Sequence, residues 1–254
     1  MEETVKNSDR GISFCNLKRI ACISMIIDHA TYVFIPENDI NGWMGVSVPY
    51  LIGRCLGRTA FILFAFLLVE GFFHTSSLKK YILRMAIAAV ISEPAFDLMC
   101  GRLNLKSFLV LQNILFTFTL SLIFMGLLEM VKERFGYSQD MSSKIKYNVL
   151  AALICVGGFV SAYFFRIDYG VVGIGLVFVF YFLRGSRKLY LVLAVFVWSL
   201  VCIALKYELE WAGLIALIPI CMYHGEKGKG SKWFFYIFYP AHMLILGLIR
   251  VLII

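Results

Sequence analysis

The sequence predicts an all-α polytopic membrane protein, a single domain over residues 1–254 built as a bundle of about nine transmembrane helices. Composition is the first observation, since 61% of the residues are hydrophobic and 16% are charged, with a mean hydropathy of +0.83. Soluble domains contain about 25% charged residues, and a soluble fold of this length cannot bury so much apolar surface. The second observation is that long apolar segments alternate with polar segments rich in Lys and Arg.

A helix needs about 20 mostly apolar residues to cross a bilayer. We expect spans at 18–36, 48–73, 80–99, 107–130, 147–165, 169–183, 189–205, 211–224 and 233–253. The second span contains Pro49, Arg54 and Arg58, so a broken or re-entrant helix is an alternative to a continuous one. The polar stretch 131–147 is the longest predicted loop and separates four spans from five. We find no internal repeat.

The distribution of Lys and Arg predicts the orientation in the membrane. With the N-terminus in the cytoplasm, most basic residues fall on the inside. The outside segments then carry Arg102, Lys106, Arg166, Lys206 and Arg250. We therefore expect a cytoplasmic N-terminus and a C-terminus outside. The first apolar stretch is not a cleavable signal peptide, because charged residues occupy its centre and no small-residue cleavage site follows it.

Charge and cysteine content exclude two further classes. The net charge of +8 does not indicate nucleic-acid binding, because the Lys and Arg residues flank apolar segments instead of forming one soluble basic patch. The seven Cys residues have no metal-type spacing, and most fall within apolar segments. We expect neither a disulfide framework nor a metal site.

The adjacent residues Asp28 and His29, in the middle of the first apolar segment, are the most informative feature of the chain. A carboxylate at the centre of a bilayer costs about 2.5–3.5 kcal/mol on insertion scales, so such residues are expected to have a function. Histidine is also the commonest general base. At a rise of about 1.5 Å per residue, His29 lies at or beyond the middle of the membrane.

Further polar residues from other segments fall at a depth similar to that of His29. They are Arg54, Arg58, Glu93, Asp97, Gln112, Asn113 and Asp168. One polar cavity is the simplest interpretation. The alternatives are that the two Arg residues only neutralise Glu93 and Asp97, that Asn113 is an interhelical hydrogen-bonding residue, and that Asp168 is an ordinary interface residue.

Other polar residues favour structural interpretations. We expect Glu70 and His74 to snorkel or to cap a helix, and His242 to be a packed histidine on an apolar helix. Two basic groups follow the positive-inside rule, with a phosphate site for a cytoplasmic cofactor as the alternative. Their members are Lys79, Lys80, Arg84, Arg184, Arg187 and Lys188.

Five blocks of the sequence carry a resemblance to a known family. The first block is Leu-Lys-Arg-Ile followed by Met-Ile-Ile-Asp-His, and it ends at His29. The blocks cover residues 17–29, 57–72, 81–97, 113–117 and 235–242. Together they resemble the TraX family, membrane proteins tied to N-terminal acetylation of conjugative pilin, over nearly the whole chain.

The TraX family is similar to a wider set of membrane acyltransferases, and this implies a location in the bacterial cytoplasmic membrane. Many of those enzymes carry an Arg, ten intervening residues and a catalytic His in the first helix. Here that spacing joins Lys18 to His29, while Arg19 is one position away. The resemblance implies that acyl-CoA binds from the cytoplasm and that the acceptor meets the acyl group near the outer side.

Acetyl transfer from acetyl-CoA needs a base and a group that stabilises the oxyanion. We expect His29 to be the base, oriented by Asp28 or Glu93. Adjacent helix positions point about 100° apart, which favours Glu93. Arg58 or Asn113 is expected to polarise the carbonyl. The other residues expected to bind substrate or acyl donor are Lys18, Arg54, Arg84, Asp97, Asp168 and His242.

The acceptor stays open between a peptide amine, a sugar and a polysaccharide hydroxyl. Two other functions compete with acetyl transfer. A proton-coupled transporter also uses acids, Arg and His in the membrane, although no inverted repeat supports it. A structural component of a surface-assembly apparatus is the other alternative, and it predicts that substitutions at His29 and Arg58 are tolerated.

Overall fold

The computed structural model describes residues 11–38, 42, 45–102, 111–207 and 209–253, and most of these residues are helical. The α-helices are α1 Phe14–Phe34, α2 Val48–His74, α3 Leu78–Met99, α4 Ile114–Val131, α5 Met141–Phe164, α6 Gly170–Phe182, α7 Lys188–Ala204, α8 Leu217–Cys221 and α9 Lys232–Ile253. A π-helical turn, Lys132–Gly136, extends α4, and a 3₁₀ segment, Glu210–Ala216, leads into α8.

The helices are those of a membrane protein. The helical stretches of α2, α4 with its extension, α5 and α9 are long and apolar enough to cross a membrane. The helices α6 and α7 are apolar but shorter. The helix α1 has 21 residues but includes Lys18, Arg19 and Asp28, and α3 is similarly interrupted by charged residues. A count of nine spans and the orientation of the termini stay predictions, and residues 1–10 lie outside the described part of the chain.

Helix α2 is continuous from Val48 to His74, so the alternative of a broken second span is wrong. Pro49 lies in the first turn, where its missing N–H has no partner to lose. The two Arg residues in this helix turn toward polar partners inside the bundle, which removes the need to break the helix.

The predicted start of the fourth span is also wrong, and the eighth predicted span is not one regular α-helix. The fourth span was expected to start at 107, but α4 begins at Ile114 with Asn113 as its N-cap, and residues 103–110 lie outside the described residues. The eighth segment is a 3₁₀ stretch followed by the short α8. Pro219 has no N–H with which to extend an i to i−4 ladder back into the 3₁₀ stretch.

The predicted loop 131–147 is mostly helical, because the π-helical turn continues α4 and α5 begins at Met141. Asp140 caps α5 by accepting a hydrogen bond from the backbone N–H of Ser143 at 3.0 Å. An Asp immediately before a segment that can form a helix is a typical N-cap residue. The polar composition of 131–147 therefore wrongly indicated a loop.

Glycines on α2 bring this helix close to α1. A Cβ atom added at Gly53 would lie 2.0 Å from Thr31 Oγ1, and one added at Gly57 would lie 2.2 Å from Asp28 Oδ1. Small residues let two helix backbones approach closely in membrane proteins. The hydroxyl of Ser24 donates to the backbone oxygen of Leu56 at 2.6 Å and ties the same pair. This packing aims Asp28 at α2.

Candidate functional site

Asp28 is the centre of a buried charge cluster between α1 and α2. Arg54 Nη1 donates to Asp28 Oδ2 at 2.7 Å, and Arg58 Nη2 donates to both carboxylate oxygens at 2.7 and 2.8 Å. Asp28 is 7% exposed. The alternative that the two Arg residues only neutralise Glu93 and Asp97 is therefore wrong, because both guanidinium groups pair with Asp28 on the neighbouring helix.

Arg58 also holds two residues that the sequence did not single out. Its Nη1 donates to Tyr169 Oη at 2.9 Å and to Glu210 Oε1 at 3.0 Å. Glu210 begins the 3₁₀ segment and is 4% exposed. An acid at the edge of the eighth apolar segment was its only signal in the sequence. Tyr169 adopts a left-handed φ of 58° before α6, and its ring stacks on Phe61 at 3.9 Å between centroids.

His29 pairs with His242 of α9. His29 Nδ1 lies 2.8 Å from His242 Nε2, and His242 Nδ1 donates to the backbone oxygen of Phe238 at 2.8 Å. The two imidazole planes differ by 4°. The expectation that His242 is only a packed histidine is wrong, since it contacts the residue predicted to be the base. The two residues are 213 positions apart in the chain, which hid the pair from sequence reasoning.

Glu93 and Asn113 form a separate, fully buried cluster between α3 and the start of α4. Glu93 Oε2 accepts the backbone N–H of Asn113 at 3.0 Å and also its side-chain amide. The amide of Asn113 also donates to the backbone oxygen of Ala89 at 2.9 Å, and its Oδ1 accepts the N–H of Leu115. Asn113 is the N-cap of α4, so Glu93 and Asn113 are here called the capping cluster. Their expected roles, Glu93 orienting His29 and Asn113 polarising a carbonyl, stay predictions.

The remaining predicted acids lie at the same end of the bundle as His29. Asp97 Oδ1 is 3.8 Å from Arg102 Nη1 in an ion pair. Asp168 accepts the backbone N–H of Tyr169 at 3.0 Å, and its own backbone oxygen accepts the hydroxyl of Thr117 at 2.6 Å. Asp168 thus stabilises the turn that presents Tyr169 to Arg58.

A cavity of about 210 Å³, here called the histidine cavity, opens beside these groups. Its polar lining residues are Asp28, His29, Tyr32, Arg54, Arg58, Arg102, Asp168, Tyr169 and Tyr239. The polar cavity predicted from the sequence matches this space only in part. His29, Arg54, Arg58 and Asp168 line it, whereas its lining does not include Glu93, Asp97, Gln112 or Asn113. Its members come from α1, α2, α9 and two connecting segments. Glu93 and Asn113 belong instead to the capping cluster.

A second cavity of about 660 Å³, here called the basic cavity, lies toward the other end of the bundle, where α1 and α3 begin. Its acidic, basic and histidine lining residues are Lys18, Glu70, His74, Arg84 and Lys227. Of the six basic residues in the two predicted groups, Arg84 is the one that lines this cavity. Glu70 is 7% exposed and accepts a hydrogen bond from Arg184 Nε at 2.9 Å, so the prediction that it snorkels is wrong.

Three phenylalanines, Phe64, Phe118 and Phe235, line both cavities. The rings of Phe64 and Phe235 lie 4.9 Å apart, and Lys18 Nζ lies 4.8 Å from the ring centre of Phe235. The three phenylalanines, here called the phenylalanine layer, lie between the cavity lined by His29 and the cavity lined by cations. An elongated ligand that extends from the basic cavity toward His29 would contact this layer.

Comparison with known proteins gives the family. The family model described as TraX protein matches residues 13–250. The chain belongs to the TraX family. The resemblance stated from the sequence is thereby confirmed. No solved structure matches the chain.

A relative of this TraX chain comes from Dichelobacter nodosus and is described as a probable fimbrial assembly protein FimC, serogroup H1. The two chains are 30% identical over 266 residues, which cover 93% of this chain and 96% of the relative. The similarity thus spans both cavities.

The sequence blocks that carry the TraX resemblance supply the walls of both cavities. The first block contributes Lys18 to the basic cavity and His29 to the histidine cavity. Phe64 and Phe235 come from the 57–72 and 235–242 blocks. The last block also carries His242. The blocks thus contribute residues to both cavities.

Proposed function

We propose that this chain is a multi-pass acetyltransferase of the bacterial cytoplasmic membrane that acts in fimbrial or pilus assembly. It moves the acetyl group of cytoplasmic acetyl-CoA to an amine or hydroxyl at or beyond the membrane. The observation that carries the proposal is the pair of cavities that meet at the phenylalanine layer, one lined by His29 and the other by cations. The description of the relative as a fimbrial assembly protein supports the biological setting.

The basic cavity fits the donor. Lys18, Arg84 and Lys227 line it and present ammonium and guanidinium donors suited to phosphoryl oxygens. On α1, Lys18 and His29 are separated by about 16 Å along the helix axis. The phosphates of acetyl-CoA bind near Lys18, and its flexible arm carries the thioester past the phenylalanine layer toward His29. The basic cavity faces the cytoplasm in this arrangement, in keeping with the positive-inside rule.

The histidine cavity fits the chemistry. An acceptor N–H or O–H loses its proton to His29 as the nitrogen or oxygen bonds to the thioester carbonyl carbon. The carbon–sulfur bond then breaks, and the imidazolium returns the proton to the departing thiolate. Arg54 and Arg58 line the cavity and supply positive charge near the developing oxyanion. A small cavity of about 210 Å³ suits an acetyl group better than a long acyl chain.

His29→Ala tests this proposal. A base contributes about 10²–10⁴-fold to such reactions, so acetylation that depends on this gene should be abolished. The measurement is mass spectrometry of fimbrial subunits and surface polysaccharide from a deletion strain that carries either wild type or the variant. His224→Ala is the matched control, because this histidine pairs with Glu226 near the surface and should leave acetylation unchanged. Equal folded protein in all strains is checked by detergent extraction.

Unchanged acetylation in the His29→Ala strain would contradict the role of His29. Fimbriation without any gene-dependent acetylation would instead favour an assembly component that performs no chemistry, a function that the description of the relative also fits. A proton-coupled transporter predicts uptake or export of a solute with no change in acetyl groups.

A further inference from the structure

The two histidines form a chain of hydrogen bonds in which donor and acceptor can be assigned at each step. The backbone oxygen of Phe238 can only accept, so the nitrogen 2.8 Å away, His242 Nδ1, must carry a proton. In neutral imidazole the other nitrogen is then unprotonated. His242 Nε2 is therefore an acceptor, and its partner at 2.8 Å, His29 Nδ1, must be the donor.

The geometry of the rings supports a strong bond. The ring centres lie 5.1 Å apart with 4° between the planes. With 2.8 Å between the two nitrogens, this separation means that the rings lie end to end with both nitrogens near the line that joins the centres. The N–H of His29 thus points directly at the lone pair of His242, the alignment that a hydrogen bond prefers.

His242 is itself held in place by α9. Its ring stacks on Phe238 at 4.9 Å between centres and 15° between planes, and Tyr239 packs against it from the side. It is 8% exposed and lies behind His29, whose ring lines the histidine cavity. The hydrogen bond to Phe238, one helical turn earlier, anchors the far side of the ring.

We propose that His242 is a positioning residue that fixes the tautomer of His29, with the proton on Nδ1 and a free lone pair on Nε2. This inference rests on the proposed acetyl transfer, which it deepens. In many catalytic sites a carboxylate orients the base, but here Asp28 is held by Arg54 and Arg58, and a second neutral histidine takes that place. After His29 Nε2 accepts the acceptor's proton, the imidazolium keeps its Nδ1–H bond to His242.

Nuclear magnetic resonance of ¹⁵N-histidine in detergent tests the tautomers without any turnover. The chain has four histidines, so the spectrum is simple, and loss of signals in single His→Gln variants assigns each ring. The expected result is Nδ1–H with unprotonated Nε2 for both His29 and His242. Free imidazole side chains favour the opposite tautomer, so a proton on His29 Nε2 would overturn the proposal.

Two substitutions extend the test to function. His242→Met introduces an apolar side chain of similar length and replaces the ring nitrogen by a sulfur that is only a weak acceptor. We therefore expect His29 to shift its proton and acetylation to fall below about a tenth of wild type. His242→Gln places a carbonyl oxygen near the former Nε2 and should preserve the His29 tautomer and most of the acetylation. His224→Met is the matched control. A simple loss of packing would affect the Met and Gln variants alike, which would also overturn the proposal.

The two proposals fail in different ways. The expected tautomers in a chain that transfers no acetyl group would leave the His242 inference standing and overturn the acetyltransferase. Acetyl transfer with His29 protonated on Nε2 would overturn the inference alone.

Discussion

At the scale of single residues, Asp28 is a counter-ion and not the partner of its neighbour His29. One carboxylate receives hydrogen bonds from two guanidinium groups, so the cluster keeps a positive charge that Glu210 offsets through Arg58. Breaking a buried pair by removal of one partner costs more than the pair itself contributes, because the remaining charge stays buried.

Asp28→Asn should therefore destabilise the fold. It leaves Arg54 and Arg58 without their shared anion, and the expected loss is about 3–5 kcal/mol in the free energy of unfolding. Thermal unfolding in detergent measures it. Asp97→Asn is the control, since the oxygen of Asp97 lies 3.8 Å from its partner Arg102, and it should cost much less. Equal melting temperatures for the two variants would contradict the counter-ion role.

At the scale of elements, the contact between α1 and α2 decides where the charged residues point. Gly53 and Gly57 lie one turn apart on α2 and face Thr31 and Asp28. The same helix carries Arg54 and Arg58 beside these glycines. Close packing and charge pairing thus depend on one another, because the carboxylate reaches both guanidinium groups only when the two backbones are near.

Gly57→Ala tests this contact. The new methyl group would meet Asp28 Oδ1 at 2.2 Å and force α1 and α2 apart, at an expected cost of about 1–3 kcal/mol in stability. Gly175→Ala in α6 is the matched control, because its methyl group would make an ordinary contact of 3.7 Å with Phe159. Better helix propensity should leave that variant as stable as wild type or slightly more so. Equal stabilisation by both substitutions in thermal unfolding would contradict the close approach.

At the scale of the whole molecule, the two cavities lie toward opposite ends of the helix bundle. The cations of the basic cavity lie in the first half of α1, the first half of α3 and the segment before α9. The polar groups of the histidine cavity lie in the second half of α1, the first half of α2, α9 and two connecting segments. The antiparallel course of the helices puts the two sets at different depths. In the proposed reaction, a donor that enters at one end and an acceptor that enters at the other would meet at the phenylalanine layer.

Acetyl-CoA should raise the melting temperature of the purified chain. Saturation at about 100 times the dissociation constant corresponds to about 2.7 kcal/mol of apparent stabilisation. Lys18→Gln combined with Arg84→Gln should remove most of this shift, while the exposed pair Lys79→Gln and Lys80→Gln should keep it. His29→Ala should also keep the shift, because His29 is at the chemical end. No shift for wild type would contradict the assignment of the donor.

The sequence alone predicts the helical class and the positions of most helices to within a few residues. Hydropathy is a local property, and the apolar segments are long enough to show it. The hydropathy pattern misplaced the starts of α4 and α5, because side-chain hydrogen bonds from the backbone to the N-caps Asn113 and Asp140 set where these helices begin. Pro219 in α8 is a different case, because it has no backbone N–H to donate.

The sequence by itself determined that His29 and Asp28 occupy an apolar helix and that this placement demands polar partners. Only the tertiary structure decided which partners they are. His242 and Glu210 lie far from them along the chain, and the direction in which a side chain faces depends on how its helix rotates and packs against its neighbours. That rotation is set by contacts such as Gly57 with Asp28, which join segments distant in sequence and leave no periodic signal in either one.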